Sequence, residues 1–360
     1  MSLEKDLNEI LEKAREELDT VLRIALIGQP GAGKSSLINQ IMGKKIFETG
    51  VHTDTTTKAE EVKLDEMFIV DLPGYGTSRF PFNDWVNEFQ PENYDVYLFV
   101  FNGKLHDSDV QMFEALKEWS DEEKGGRVHQ LFIVRNFSDS IWDEEKTYSD
   151  LRDEIVRDVR DKMQDESVKV YFTSCGRQPE GIEDLKKAII NADIPGAKKS
   201  KFLRNFKAKT IDDLDAKKAG MKESIHWYAV AGAVNAVNPV TGIDIGVDVC
   251  IMKKMISDIL DTFGIDDDTE SNLKKYDIIV PAGNKVFKYV TEEGIKLLIK
   301  EIGKKYIGKQ FTKYLPLVGQ AAAATAGYAL IKAIGDGCVD DCYNIAKELM
   351  EQMIEKEQSK

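Results

Sequence analysis

The sequence predicts an α/β domain, a mostly parallel sheet with helices on both faces, joined to an all-helical domain. Three observations lead there. Short apolar runs alternate with helical segments between residues 21 and 195. Several of these runs are apolar without interruption, as strands buried on both faces must be. From residue 196 onward the strand signal nearly vanishes. The 360 residues suffice for two cores, and 42% hydrophobic with 31% charged residues is the makeup of a water-soluble globular chain.

Residues 3–18 place Leu3, Leu7, Ile10, Leu11 and Leu18 near helical spacing, which predicts an amphipathic helix. The segment is charged throughout, unlike a secretory leader or a membrane span. Strands are expected at "LRIALIG" (22–28), "EEVKLDE" (60–66), "MFIVDLPG" (67–74), "VYLFVF" (96–101), "HQLFIVRN" (129–136) and "VKVYFTS" (168–174), and the domain closes with a helix over 181–193. Residues 194–210 then read as a linker, a Pro-Gly break followed by six basic residues between Lys198 and Lys209. Beyond it, 236–255 and 314–334 share Pro-x-x-Gly before a small-residue helix, the pattern of a duplicated helical hairpin. The expected layout is an N-terminal helix, 1–20, packing with a helical domain, 196–360, around a nucleotide domain, 21–195.

The net charge of −14 is uneven: residues 1–195 carry 24 Lys/Arg against 40 Asp/Glu, residues 196–360 carry 25 against 23. The acidic front half repels polyanions, so nucleic acid is not an expected partner. The basic run 198–209 and the lysines from Lys285 to Lys313 read as solvated faces, with an anionic membrane surface as the alternative. "VGQAAAATAGYALIKAIG" (318–335) is the most apolar stretch. Interrupted by Lys332 and short for a span, it reads first as a buried hairpin and second as a membrane insertion. Cys175, Cys250, Cys338 and Cys342 have no framework spacing and read as reduced thiols of a cytoplasmic chain.

The chemistry starts at "GQPGAGKSS" (28–36), which matches G-x-x-x-x-G-K-[ST] between a predicted strand and a predicted helix. That context makes the fold class a P-loop NTPase. Backbone N–H groups of Gly28, Pro30–Gly33 and Ser36 (proline supplying only its fixed turn) wrap phosphate oxygens at a helix N-terminus. Lys34 reaches the β- and γ-phosphates, and the Ser35 hydroxyl ligates Mg2+. Asp71 of "DLPG" (71–74) sits at a strand end to hold the metal through water, with the Gly74 N–H for the γ-phosphate. A switch segment needs one threonine on the metal. Thr53, Thr55, Thr56 and Thr57 compete, and Thr55 and Thr56 sit best, just before the next strand.

Asn136 and Asp139 form N-x-x-D at the end of the fifth strand, and Ser174, Cys175 and Gly176 follow the sixth. A carboxylate accepts from the N1–H and 2-amino group of guanine, and adenine has no such donors. The N–H groups of Cys175 and Gly176 then face guanine O6. The ligand expected is therefore GTP or GDP with Mg2+. The place after D-x-x-G, where a water-orienting glutamine stands in Ras-like sites, holds Tyr75. Slow hydrolysis alone is expected, with acceleration when two such domains meet. Arg79 is a candidate contributor from the second copy.

These motifs resemble guanine-nucleotide-binding P-loop proteins. Together with "TGV" (49–51), "DLPGYG" (71–76) and "IVRNFSDS" (133–140), they resemble the immunity-related, interferon-inducible GTPases over nearly the whole chain. The resemblance implies a G domain plus helical domain, dimerisation through G domains, hydrolysis of GTP on assembly, and action at intracellular membranes in host defence. The chain departs from the pattern at three places: Phe137 replaces the lysine of N-K-x-D, Glu48 stands where a lysine precedes "TG", and Thr53 stands in place of an acidic residue. The rival readings are a catalytically weak switch whose helical domain binds a protein partner, and a P-loop ATPase.

Overall fold

A computed structural model of the chain describes residues 3–49, 59–76, 81–89, 93–119, 130–235, 249–265, 294, 297 and 319–358. The chain divides into two compact units, one of Val21–Pro195 and one of Met1–Thr20 with Gly196–Lys360.

The first unit holds a sheet of β1 (Leu22–Ile27), β2 (Glu60–Leu64), β3 (Met67–Asp71), β4 (Val96–Phe101), β5 (Gln130–Arg135) and β6 (Val170–Phe172), in the order β2-β3-β1-β4-β5-β6. All neighbours run parallel except β2, which pairs antiparallel with β3. This is the predicted class, and register explains the composition. Central β4, "VYLFVF", is buried at every residue, whereas edge strand β2, "EEVKL", alternates only between exposed and half-buried. The helices are α2 (Lys34–Met42), α3 (Phe82–Phe89), α4 (Asp107–Trp119), α5 (Tyr148–Met163) and α6 (Ile182–Ile190). A capping box between Thr147 and Asp150 starts α5, as its sequence T-x-x-D dictates. Because the strands are parallel, the loops after β1, β3, β5 and β6 all leave the same end of the sheet, where open α/β sheets bind ligands.

The second unit, among the described residues, is helical: α1 (Leu3–Asp19), α7 (Gly196–Asn205), α8 (Ile211–Asn235), α9 (Val249–Phe263) and α10 (Gly319–Gln358). Its core joins Met221, Ile225 and Ala229 of α8 to Met252, Ile256 and Ile259 of α9 and to Ile331, Ile334 and Cys338 of α10. The small residues of α10 serve close packing: a Cβ on Gly335 would lie 2.8 Å from Ile225 Cγ2. Residues 319–335 are the first turns of one 40-residue helix, and the preceding arm of the expected hairpin, like all of 236–248 and most of Lys285–Lys313, lies outside the described residues. Among the described residues no helix is long and apolar enough to cross a membrane.

The basic run 198–209 is not the solvated linker the sequence suggests. Most of it is α7, and Lys201 and Arg204 are buried. Lys201 Nζ donates to the Leu18 carbonyl at the end of α1 (2.6 Å), and Arg204 pairs with Asp258 at 2.7 Å. From α8, buried Lys217 donates to Leu203 O at 2.6 Å and to Thr262 O at 2.8 Å. Cations placed on carbonyls at helix C-termini satisfy orphan acceptors and the negative end of the dipole. Lys201 and Arg204 are thereby withdrawn from any lipid surface.

Candidate functional site

Four loops build the site. The first leaves β1. Its last residue, Gly33, adopts φ 84° and caps α2 with no side chain of its own. The next residues, Lys34, Ser35 and Ser36, start the helix with no acidic side chain in the first turn, so the N-terminus is open to an anion. Lys34 is 6% exposed, and its Nζ donates to the Gly28 carbonyl at 3.2 Å, which curls the ammonium back over the loop.

The second loop leaves β3 with Asp71, 1% exposed. Asp71 Oδ2 accepts from Ser35 Oγ at 2.5 Å, and Oδ1 lies 3.9 Å from Lys34 Nζ with no hydrogen bond at all. Burial pushes the Asp71 carboxyl up, against the pull of Lys34 and Ser35, and pushes the Lys34 ammonium down, against the pull of Asp71. Each charge is thus short of partners. A hydroxyl and a buried carboxylate with one orphaned oxygen are hard donors of the kind Mg2+ accepts alongside waters and phosphates. Among the described residues no cluster of three or more His, Cys, Asp or Glu competes for a metal. Gly74 abuts the first loop: a Cβ there would lie 2.3 Å from Pro30 Cδ, so only glycine fits.

The third and fourth loops leave β5 and β6. Asn136 is buried between three loops. Its Nδ2 donates to Ala32 O at 2.9 Å, and its Oδ1 accepts from Thr173 Oγ1 at 3.1 Å. Asn136 is thus a strut tying the phosphate loop to the far end of the site. Phe137, at φ 55° and 39% exposed, lies against the phosphate loop: a Cβ on Gly33 would meet its Cε2 at 3.1 Å. Asp139 sits exposed on a 3-10 turn, Ser138–Ser140, anchored by the Ser138 N–H on Thr173 O at 2.9 Å. Gly176 adjoins it, since a Cβ there would stand 3.3 Å from Asp139 Oδ2. Ser174 is buried, and the half-buried Cys175 thiol is pushed up to about 11, first by burial and then by the Asp139 charge.

Gly33→Ala tests the strut. The new methyl would stand 2.4 Å from Asn136 Nδ2 at a backbone angle that alanine resists. The variant should lose about 2 kcal/mol of stability, from strain and the broken hydrogen bond. Denaturant unfolding reads this, and an unchanged midpoint would exclude it.

Of the residues read from sequence, Gly28, Pro30, Gly31, Ala32, Gly33, Lys34, Ser35, Ser36, Asp71 and Gly74 meet at one end of the site, and Asn136, Asp139, Ser174, Cys175 and Gly176 at the other. Thr53, Thr55, Thr56, Thr57 and Arg79 lie outside the described residues. Tyr75 belongs to the apolar core of its unit. It is buried, edge-on to Trp85 at 5.7 Å, with its hydroxyl on Asp109 Oδ1 at 2.7 Å. Sequence reasoning missed Gln29, Ser108 and Asp109, which join it there. Nothing local in the sequence marked Asp109 for this place.

A sequence model of the family described as Interferon-inducible GTPase (IIGP) matches residues 2–277. Interferon-gamma-inducible GTPase 10 of Mus musculus is 24% identical over 272 residues, covering 71% of this chain and 63% of that protein, so the chain spans less than two thirds of this relative's length. Interferon-inducible GTPase 5 of Rattus norvegicus is 20% identical over 377 residues, covering 98% of this chain and 81% of the relative. Among solved structures, a probable GTP-binding protein engB is 21% identical, covering 47% of this chain and 97% of that one, with a TM-score of 0.34.

Proposed function

Because this chain belongs to the interferon-inducible GTPase family, we propose that it binds GTP and GDP with Mg2+ and hydrolyses GTP to GDP and phosphate. Residues 21–195 act as the G domain, and residues 1–20 with 196–360 as the helical domain. The observation that carries the reading is the convergence of the loops after β1, β3 and β5: Ser35 on Asp71 at 2.5 Å and Asn136 on Ala32 O at 2.9 Å. On this reading Lys34 turns from Gly28 O to the β- and γ-phosphates, and the Gly74 N–H meets the γ-phosphate. Ser35, Asp71 and either Thr55 or Thr56 hold the metal, and Asp139 accepts from the guanine edge. Mg2+, when bound, neutralises charge on the β- and γ-phosphate oxygens.

Hydrolysis is slow in the single chain, because the tyrosine after Gly74 is buried on Asp109 and orients no water. Two G domains meeting supply what is missing, and the assembly acts in the cytoplasm at intracellular membranes in host defence. The same buried tyrosine favours a second reading, a catalytically weak switch whose helical domain takes a protein partner. Phosphate release per molecule, measured at rising protein concentration, separates the two. It should climb by about 10-fold or more, since groups supplied by a partner are worth up to ~10⁵ in rate. A flat line removes self-activation and leaves the switch.

A further inference from the structure

We propose that Asp109 is a positioning residue of the phosphate site, binding the phosphate loop and the turn after β3 to the start of α4 through one buried carboxylate. The proposal rests on the nucleotide-binding reading above. It stands on the number and origin of the donors that Asp109 collects.

Asp109 is 1% exposed in the first turn of α4. Its Oδ2 accepts from the His106 N–H at 2.7 Å, which is the work of an ordinary helix cap. Capping uses only that oxygen. Oδ1 takes two further donors from two other segments: the Tyr75 hydroxyl at 2.7 Å and Gln29 Nε2 at 3.2 Å. Gln29 Nε2 also donates to Ser108 Oγ at 2.9 Å, so the amide is held by two consecutive residues of α4.

Gln29 precedes Pro30 in the phosphate loop, and Tyr75 follows Gly74, whose N–H is aimed at the γ-phosphate on the proposed reading. The two segments therefore touch twice. Pro30 abuts Gly74, with no room even for a methyl, and Gln29 and Tyr75 share Asp109. Tyr75 also has little freedom to turn elsewhere. It is fully buried against Trp85, whose Nε1 donates to Pro73 O at 2.8 Å, and a buried phenol needs an acceptor. A shift of Gly74 toward or away from a γ-phosphate must either break the Tyr75–Asp109 bond or carry the start of α4 with it. The residue in the place of a water-orienting glutamine is thus the latch of the turn after β3, and Asp109 is its keeper. Occupancy by a triphosphate, unlike a diphosphate, is coupled to α4 through this carboxylate.

The test compares two affinities, for GDP and for a non-hydrolysable GTP analogue with Mg2+, by titration calorimetry on the full chain and its variants. Tyr75→Phe removes the hydroxyl and keeps the ring. It should leave GDP affinity within about 2-fold and lower analogue affinity about 5- to 10-fold, the lower range of site-to-site coupling. Asp109→Asn should do more, because an amide cannot accept on both of its arms. If Asp109→Asn fails to fold, Tyr75→Phe decides alone. A folded Tyr75→Phe with the wild-type ratio of the two affinities overturns the proposal and leaves the nucleotide reading intact. A wild-type chain that binds neither nucleotide overturns both.

Discussion

Replacing Lys34 by alanine is expected to lower affinity for GTP by about 10²- to 10³-fold, because the site loses a buried cation that would meet triphosphate charge. Phosphate release should fall with it. The magnitude follows from burial. Lys34 is 6% exposed, and its ammonium holds one carbonyl at 3.2 Å and a distant carboxylate oxygen at 3.9 Å. Burial lowers its pKa against the pull of Asp71, so the charge is under-solvated, and a phosphate oxygen would relieve it. A lysine already well paired in the protein would give up partners to bind; this one gains them. Lys34→Met separates charge from volume, since it keeps the stem that packs at the head of α2. Titration with GTP analogue and Mg2+ should find both variants equally impaired. A methionine variant that binds like wild type would mean that the loop does not grip phosphate through this charge.

The sequence made the phosphate end legible because backbone does most of the work there. A loop that wraps an anion needs glycine where φ is positive, as at Gly33 (φ 84°), and needs the lysine and serine at fixed distance along the first turn of α2. Asp71 was legible for a related reason: it ends an apolar strand, where a carboxylate has no other place in the pattern. The strands were legible from their continuous apolar runs, and β2 from its contrast with them. What stayed hidden depends on pairs far apart in the chain. Asp109 lies 80 residues beyond Gln29 and 34 beyond Tyr75, and nothing local marks an exposed-looking aspartate as the acceptor for both. The same limit misled the reading of Lys201 and Arg204. Composition gives a basic run, and only packing reveals that Leu18 O and Asp258 await those cations.

Asp139→Asn is expected to lower affinity for guanine nucleotides by about 10²- to 10⁴-fold and to make the xanthosine nucleotide the better ligand. Asp139 is exposed on its 3-10 turn, and among the described residues nothing donates to its carboxylate. It is therefore not spent on the fold, and the substitution should move stability by less than about 0.5 kcal/mol. The turn itself is held by other groups, the Ser138 N–H on Thr173 O and Ser140 Oγ on Phe137 O, so the asparagine side chain should occupy the same place. The difference is then one of hydrogen-bond sign. A carboxylate offers two acceptors to the N1–H and 2-amino group of guanine. An amide offers one acceptor and one donor, which leaves the 2-amino group facing an N–H. Xanthine carries N1–H and a 2-oxo group, the complement of the amide. Calorimetric titration of wild type and variant with GDP and xanthosine diphosphate checks both halves. Loss of GDP binding without gain of the xanthosine nucleotide would point to a disturbed turn. Unchanged GDP binding would place the guanine edge away from this carboxylate altogether, and with it the distinction between a GTPase and an ATPase on this scaffold.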